Sequence, residues 1–344
     1  MGILIALALA AVVAMAMIAG AVYQSVGLRR SARRFPPAGR LVDVNGHRLH
    51  VVSLGQGRPV VLLESAIAAS SLSWTRVQPE VAAFTRVCAY DRAGLAWSDA
   101  AAQPPTIARL CDEMQRLLVT VGASAPTVLV GHSFGALLCL AYTARNPGLV
   151  SGLVLVDPPS EWAHMDRART RLLRGAVHLS RIGAVLARLG VVRACLALLT
   201  GGAPAAPRYF VKLFGPTTAR TLERLVGEVR KLPPELHPVV QALWCQPKCF
   251  LAMAAYLGAL PEAIVEAGRL PPLTVPLVVI SSGDQTPDVL DAHQALARTS
   301  PIGRHVVAAH STHWIPFDEP GLIVTAIRQV VQAGSGLGCE RDSR

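Results

Sequence analysis

The sequence predicts an α/β protein: a mainly parallel sheet with helices on both faces and a helical lid inserted late in the chain. Three observations carry this. Short apolar β-type runs alternate with stretches of helical apolar spacing from Arg40 to Asp157, and again from Val275 to Val331. The intervening Pro158–Pro272 shows helical patterns alone. One strand also passes straight into a helix through a glycine-flanked turn, in "VLVGHSFGALLCLAYTARNP" (128–147). Strands that alternate with helices form parallel sheets buried on both faces.

The amino-terminal end is of another kind. Of the 344 residues 52% are hydrophobic, and the mean hydropathy of +0.41 is high for a wholly water-facing protein. Ile3 to Val22 contains no charged side chain, and about 20 such residues cross a bilayer as a helix. Residues 1–24 therefore read as a transmembrane anchor. A cleaved signal peptide is the alternative, but no Lys or Arg precedes the run, which also exceeds the ~7–15 apolar residues of such signals. Arg29, Arg30, Arg33 and Arg34 follow; the positive-inside bias then keeps the rest of the chain in the cytoplasm. Residues 25–39, with Pro36, Pro37 and Gly39, read as a basic linker.

Seven cysteines without a close-spaced framework suit a reducing compartment. Cys245 and Cys249 have the look of a metal pair, but no further ligands lie near them in sequence, so they read as structural. The net charge of +11 comes without a recognition helix or an aromatic RNA-binding motif, which argues against nucleic acid as a partner. The arginines beside the span, and seven more between Arg167 and Arg193, suit anionic membrane lipid instead.

The elements follow in order. "RLVDVNGHRLHVVSLGQG" holds two strands around Asn45-Gly46, a strong hairpin signal. "PVVLLE", ending at Glu64, and "RVCAYDRAG", Arg86 to Gly94, are buried strands separated by a helix over Leu72–Phe84. A helix over Ile107–Val121 leads to the strand Val128–Val130 and the helix Phe134–Arg145, which Asn146-Pro147 stops. Ser151–Val156 is a strand ending at Asp157, and Pro276–Ser281 and Arg304–Ala309 are the last two. Helices are expected around Leu290–Ala297 and Gly321–Val331, then a flexible tail from 335. The lid is interrupted at Gly201-Gly202 and Pro233-Pro234. In it Arg167, Arg174, Arg181 and Arg188 recur every seventh residue among Leu172, Leu179, Ile182 and Leu186. Either this is a solvated arginine face over an apolar roof, or the lid lies on the membrane and admits an apolar substrate from it.

The turn at Ser133 carries the chemistry. Strand and helix come so close there that a Cβ at Gly131 or Gly135 would collide with the neighbouring segment. The turn pushes the Ser133 hydroxyl out at the carboxyl end of the sheet. It also aims the Phe134 N–H and the positive end of the helix at whatever binds beside it. This is the G-x-S-x-G nucleophile-elbow pattern. Such a serine needs a base to take its proton and an acid to orient the base.

The hairpin, "ESAIAASSLSW", "YDRAG", "GHSFG", "LVLVDP" and a late "THW" occur in the order found in the α/β-hydrolase family, which the chain resembles over about Arg40–Asp157 and Val275–Val331. The resemblance implies an α/β-hydrolase fold with Ser133 as nucleophile and His313 as base, His310 being the competitor. The turn directs the side chains next to Ser133 away from it, so His132 reads as shaping the elbow, and Asp91 and Arg92 read as a structural pair. The oxyanion hole would use the N–H groups of Phe134 and Ile67, although Ala66 stands where relatives usually have glycine. For the acid, Asp284, Asp157 and Asp288 are open; Asp284 is expected if the strand before it ends one residue early, because the usual Gly-x-x-Asp spacing from Gly283 falls on Thr286. The resemblance implies neither metal nor organic cofactor. The expected activity is hydrolysis of a carboxylic ester with an apolar part. Acyl transfer, amide cleavage and carbon–carbon cleavage use the same machinery, and a non-catalytic membrane-tethered binding protein is the rival of another class. Serine at the elbow argues against epoxide hydrolases and dehalogenases, whose relatives carry aspartate there.

Overall fold

The computed structural model describes residues 1–123, 126–160, 166–200, 231–269 and 273–341. The expected break at Gly201-Gly202 lies outside them.

Helix α1 (Gly2–Arg34) is followed by β1 (Arg40–Val44), β2 (His47–Leu54), β3 (Val61–Glu64), α2 (Gln78–Ala82) and β4 (Val87–Tyr90). Then come α3 (Ile107–Thr120), β5 (Thr127–His132), α4 (Phe134–Arg145) and β6 (Val150–Val156). The helices α5 (Arg167–Arg188), α6 (Val191–Thr200), α7 (His237–Trp244) and α8 (Pro247–Ala267) form a cap. The chain returns to the sheet with β7 (Leu277–Ser282), α9 (Pro287–Ala297), β8 (Gly303–Ala308), α10 (Ile315–Asp318) and α11 (Pro320–Arg341).

The eight strands lie in the order β1-β2-β4-β3-β5-β6-β7-β8. The β1–β2 hairpin and the β2–β4 pair are antiparallel and every other pair is parallel. Alternate side chains on each central strand enter different cores. Leu62, Leu129, Leu153 and Val279 pack with α3, α4 and α8 on one face. Val61, Val128, Val154 and Ile280 pack with α2 and α11 on the other. Both faces are therefore covered, and parallel strands bring their carboxyl ends to one edge, where Glu64, Ser133, Asp157 and Ser282 follow one another across the sheet.

Three expectations differ in detail. The stretch 72–84 is a 3₁₀ turn (Ser71–Trp74) followed by the five-residue α2, because Pro79 fits only a helix's first turn. The basic segment is not a linker: α1 runs unbroken to Arg34, since nothing before Pro36 stops a helix, and only 35–39 connects it to the sheet. The last helix extends to Arg341 where a flexible tail is expected; each glycine there weakens a helix by only about 1 kcal/mol relative to alanine.

Candidate active site

Ser133 joins β5 to α4 with φ 54° and ψ −119°, a conformation costly for any residue with a side chain. The packing around it enforces the turn. A Cβ on Gly131 would stand 2.5 Å from the Gly135 backbone, and one on Gly135 would stand 2.5 Å from the Glu64 carbonyl oxygen. The Ser133 N–H donates to the Val156 carbonyl at 2.9 Å, tying the elbow to β6. The side chain remains part-exposed, and the Phe134 N–H, first in α4, is one of the donors a helix start leaves free.

His313 hangs from the loop after β8 and places its Nδ1 2.6 Å from Oδ2 of Asp157. Asp157 is only 1% exposed. Just past β6, it adopts φ 46°, which turns its carboxylate towards β7. There Oδ1 accepts from the Ser282 N–H (3.0 Å), and the Gln285 side-chain amide lies 2.9 Å from both Oδ1 and Oδ2. Burial by itself would raise the Asp157 pKa. The His313 bond and charge, with the Ser282 and Gln285 bonds, outweigh that and hold the carboxyl well below the usual carboxylate range. Asp157 is thus a fixed anion aimed at the imidazole.

The expectation of Asp284 at this position is corrected. β7 runs one residue longer, to Ser282, rather than ending one early. The Gly283 N–H then bonds the Ser311 carbonyl at 3.0 Å, and Asp284 falls on the exposed side, where it accepts from the Ser282 hydroxyl at 2.7 Å. Asp288 is likewise exposed, in the first turn of α9. His310 is exposed at the turn after β8. His132 is fully buried, with Nε2 2.8 Å from the His313 carbonyl and its ring 4.8 Å from the His313 ring. Burial, helped by the neighbouring His313, pushes its pKa down to about 3, so the ring is neutral and donates its Nε2–H to that carbonyl. The residue before the serine therefore holds the histidine loop. A second Ser–His contact, Ser281 Oγ to His293 Nδ1 at 2.6 Å, lies wholly inside the protein and offers nothing to a substrate.

The Ser65-Ala66-Ile67 loop is held by Arg92, whose partner is not the expected Asp91. Asp91 bonds His50 (2.8 Å) and the Ser71 N–H (2.7 Å). Arg92 does not pair with it; it forms a buried ion pair with Glu64, which also accepts from Tyr90. The same guanidinium donates to the carbonyls of Ser65 (2.6 Å), Ala66 and Ile67 (3.0 Å), with the rings of Phe134 and Tyr256 5.3 and 5.0 Å away. In a trans peptide the C=O and N–H point in opposite directions. Because Arg92 draws the Ala66 carbonyl towards itself, the Ile67 N–H faces the other way. The loop takes its shape from Arg92, which is how it dispenses with a glycine at Ala66.

Residues 59–175 match the family model for the alpha/beta hydrolase fold. An AB hydrolase superfamily protein of Gibberella zeae is 35% identical over 113 residues, covering 32% of this chain and 35% of that protein. Epoxide hydrolase A of Mycobacterium tuberculosis is 40% identical over 128 residues, covering 36% and 39%. An esterase from Thermogutta terrifontis superposes with a TM-score of 0.60 at 20% identity, over 86% of this chain and 99% of its own. This chain has the α/β-hydrolase fold, and its residues 59–175 carry that family's sequence pattern. It spans well under half the length of the two curated relatives.

In this member of the fold, a cavity of about 240 Å³ lies between the sheet edge and the cap, lined by Ala68, Ser70, Leu95, Leu179, Leu243 and Met253 among others. Ser133 is not in its lining, but Ala68 directly follows Ile67. Among the described residues no cluster of His, Cys, Asp and Glu suits a metal ion. Cys245 and Cys249 are free thiols, as are Cys88, Cys111, Cys139 and Cys195. The cluster of Arg92, Glu64 and Tyr90 is what sequence reasoning missed. Its signal was a glutamate ending an otherwise apolar strand, a charge that needs a buried partner.

Proposed function

We propose that this protein is a membrane-anchored serine hydrolase that cleaves a carboxylic ester with an apolar part, using Ser133, His313 and Asp157. The observation that carries this reading is the 2.6 Å contact between His313 Nδ1 and a buried, ionised Asp157, with the His313 carbonyl bonded to His132, the residue before the strained elbow serine. With Nδ1–H held by Asp157, the free Nε2 of His313 is the proton acceptor. Ser133 Oγ bonds to the ester carbonyl carbon as its proton passes to Nε2, and the carbonyl oxygen becomes an anion facing the Ile67 and Phe134 N–H groups. Collapse breaks the bond to the alcohol oxygen, which takes the proton from Nε2. Water then attacks the acyl-enzyme with the same histidine as base, releasing the acid and restoring the serine.

Epoxide opening, suggested by the name of one relative, suits this elbow poorly. Serine would form an alkyl ether that water does not cleave, whereas a carboxylate nucleophile forms a hydrolysable ester. The apolar walls of the cavity favour an apolar acyl or alcohol group. Helix α1 is long and apolar enough to cross a membrane, and the arginines that close it support a cytoplasmic catalytic domain.

The test is the full chain in detergent with p-nitrophenyl esters from acetate to palmitate. Expected are a maximum in kcat/KM at medium or long chains and loss of turnover in Ser133→Ala. Preference for acetate would remove the apolar-substrate reading, and full turnover in Ser133→Ala would remove the nucleophile. A carboxyl-terminal alkaline phosphatase fusion should be inactive; an active one would place the domain outside the cytoplasm.

A further inference from the structure

Helix α1 is more than a tether. Ile3 to Ile18 stand exposed, whereas Gln24 is 2% exposed. Its amide donates to the Cys245 carbonyl at 2.6 Å and accepts from Arg193 Nε at 3.0 Å, and Arg193 also reaches the Ser31 hydroxyl. At Gly20 the helix touches the end of α5 backbone to backbone, where any Cβ would run into the Leu189 carbonyl. The lower half of α1 is thus fastened to the cap, and the free apolar half begins where it leaves the Leu189–Gly190 turn. Since Ile3 to Ile18 stand exposed, α5 does not follow the span; it departs from it near Gly20.

Along α5 the side chains fall into three strips. Leu173, Ser180, Ala184 and Ala187 are buried on the side packed along α8. Arg174, Arg181 and Arg188 each follow a buried residue and so stand exposed about 100° round the helix from the packed side, in line with Arg167. The remaining, outward side carries an apolar strip that water would reach: Leu179 at 56% exposure, Ile182 at 42% and Leu186 beside them. The strip starts next to the exit of α1 and ends at Leu179, which also lines the cavity. A helix with an uncovered apolar strip facing away from its packed side and bordered along one edge by arginines suits the boundary between acyl chains and anionic headgroups.

Resting on the serine-hydrolase reading above, we infer that α5 lies on the bilayer surface beside the anchor, and that Leu179 is the mouth through which the acyl chain of a membrane-borne lipid ester enters the cavity. The clamp at Gly20 and Gln24 sets the height of this mouth against the membrane.

The test uses the full chain in nanodiscs of phosphatidylcholine mixed with phosphatidylglycerol. An indole introduced by Ile182→Trp, or separately by Leu186→Trp, should be quenched by phosphatidylcholine brominated on its acyl chains, beyond the quenching of the unaltered protein. Ile182→Glu with Leu186→Glu should slow hydrolysis of a disc-embedded long-chain monoacylglycerol about tenfold, with hydrolysis of soluble p-nitrophenyl butyrate unchanged. No added quenching at either position would overturn the inference, and so would equal slowing of both esters. An unaltered protein that hydrolyses neither ester would sink the serine-hydrolase reading instead. The quenching result does not depend on turnover.

Discussion

Replacing Asp157 by asparagine exchanges one carboxylate oxygen for an NH₂ group and should nearly silence the site. The carboxylate Oδ1 faces the Ser282 N–H, a backbone donor that cannot rotate away, while Gln285 Nε2 reaches both oxygens. An asparagine therefore keeps its oxygen on that side and turns its NH₂ towards His313, where Oδ2 now stands 2.6 Å from Nδ1. Nδ1 must then accept, and the imidazole hydrogen moves to Nε2, the atom that has to take the serine proton. A tautomer error of this kind lowers kcat by about 10⁴, or about 5.4 kcal/mol of barrier. Asp284→Asn removes one exposed bond from Ser282 and should change kcat by no more than about twofold, as surface substitutions do. The assay is kcat on one p-nitrophenyl ester for both variants and the parent, each shown to be folded by circular dichroism. Collapse in Asp284→Asn with activity retained in Asp157→Asn would refute the reasoning.

Other outcomes follow from the same contacts. Gly135→Ala puts a Cβ 2.5 and 2.7 Å from the Glu64 and Ser65 carbonyl oxygens; it should cost roughly 1–3 kcal/mol in a denaturant melt, and an unchanged midpoint would mean the elbow is not packed as described. Arg92→Met combined with Glu64→Gln, which avoids leaving a buried charge unpaired, should lower kcat by about 10² with KM little changed, whereas a purely structural Arg92 would leave kcat intact in the folded protein. His132, held at about 3 by burial and His313, is neutral when folded and gains a proton on unfolding below about 6.5. Its contribution to stability is present above that pH and falls by up to about 1.4 kcal/mol per unit as the solution is acidified. Glu113, raised to about 7 by burial, acts in the opposite sense between about 4.5 and 7, so the difference between the parent and His132→Gln in melts from pH 7.5 to 5 isolates the histidine; parallel curves would exclude the effect.

What could be read in the sequence was local. The elbow lies in one contiguous stretch, where a buried strand, two glycines and an apolar helix fix Ser133 without reference to anything distant. The alternation of strand and helix likewise fixed a mainly parallel sheet. The acid was not legible, because two neighbouring strands each end near an aspartate. The choice depends on the backbone turn at Asp157 and on donors from Ser282 and Gln285, 125 and 128 residues away. The Arg92–Glu64 pair, 28 residues apart, was hidden for the same reason. Nor does composition reveal that the second half of α1 is built into the cap through Gln24.

The central claim is that Ser133 is a nucleophile activated by His313 on Asp157, and the direct measurement is covalent capture by a fluorophosphonate probe, located by peptide mass mapping. The account predicts a single adduct on the peptide carrying Ser133, absent from Ser133→Ala and formed far more slowly in Asp157→Asn than in Asp284→Asn. An adduct that persists in Ser133→Ala, or a folded parent protein that takes up no probe, would contradict it.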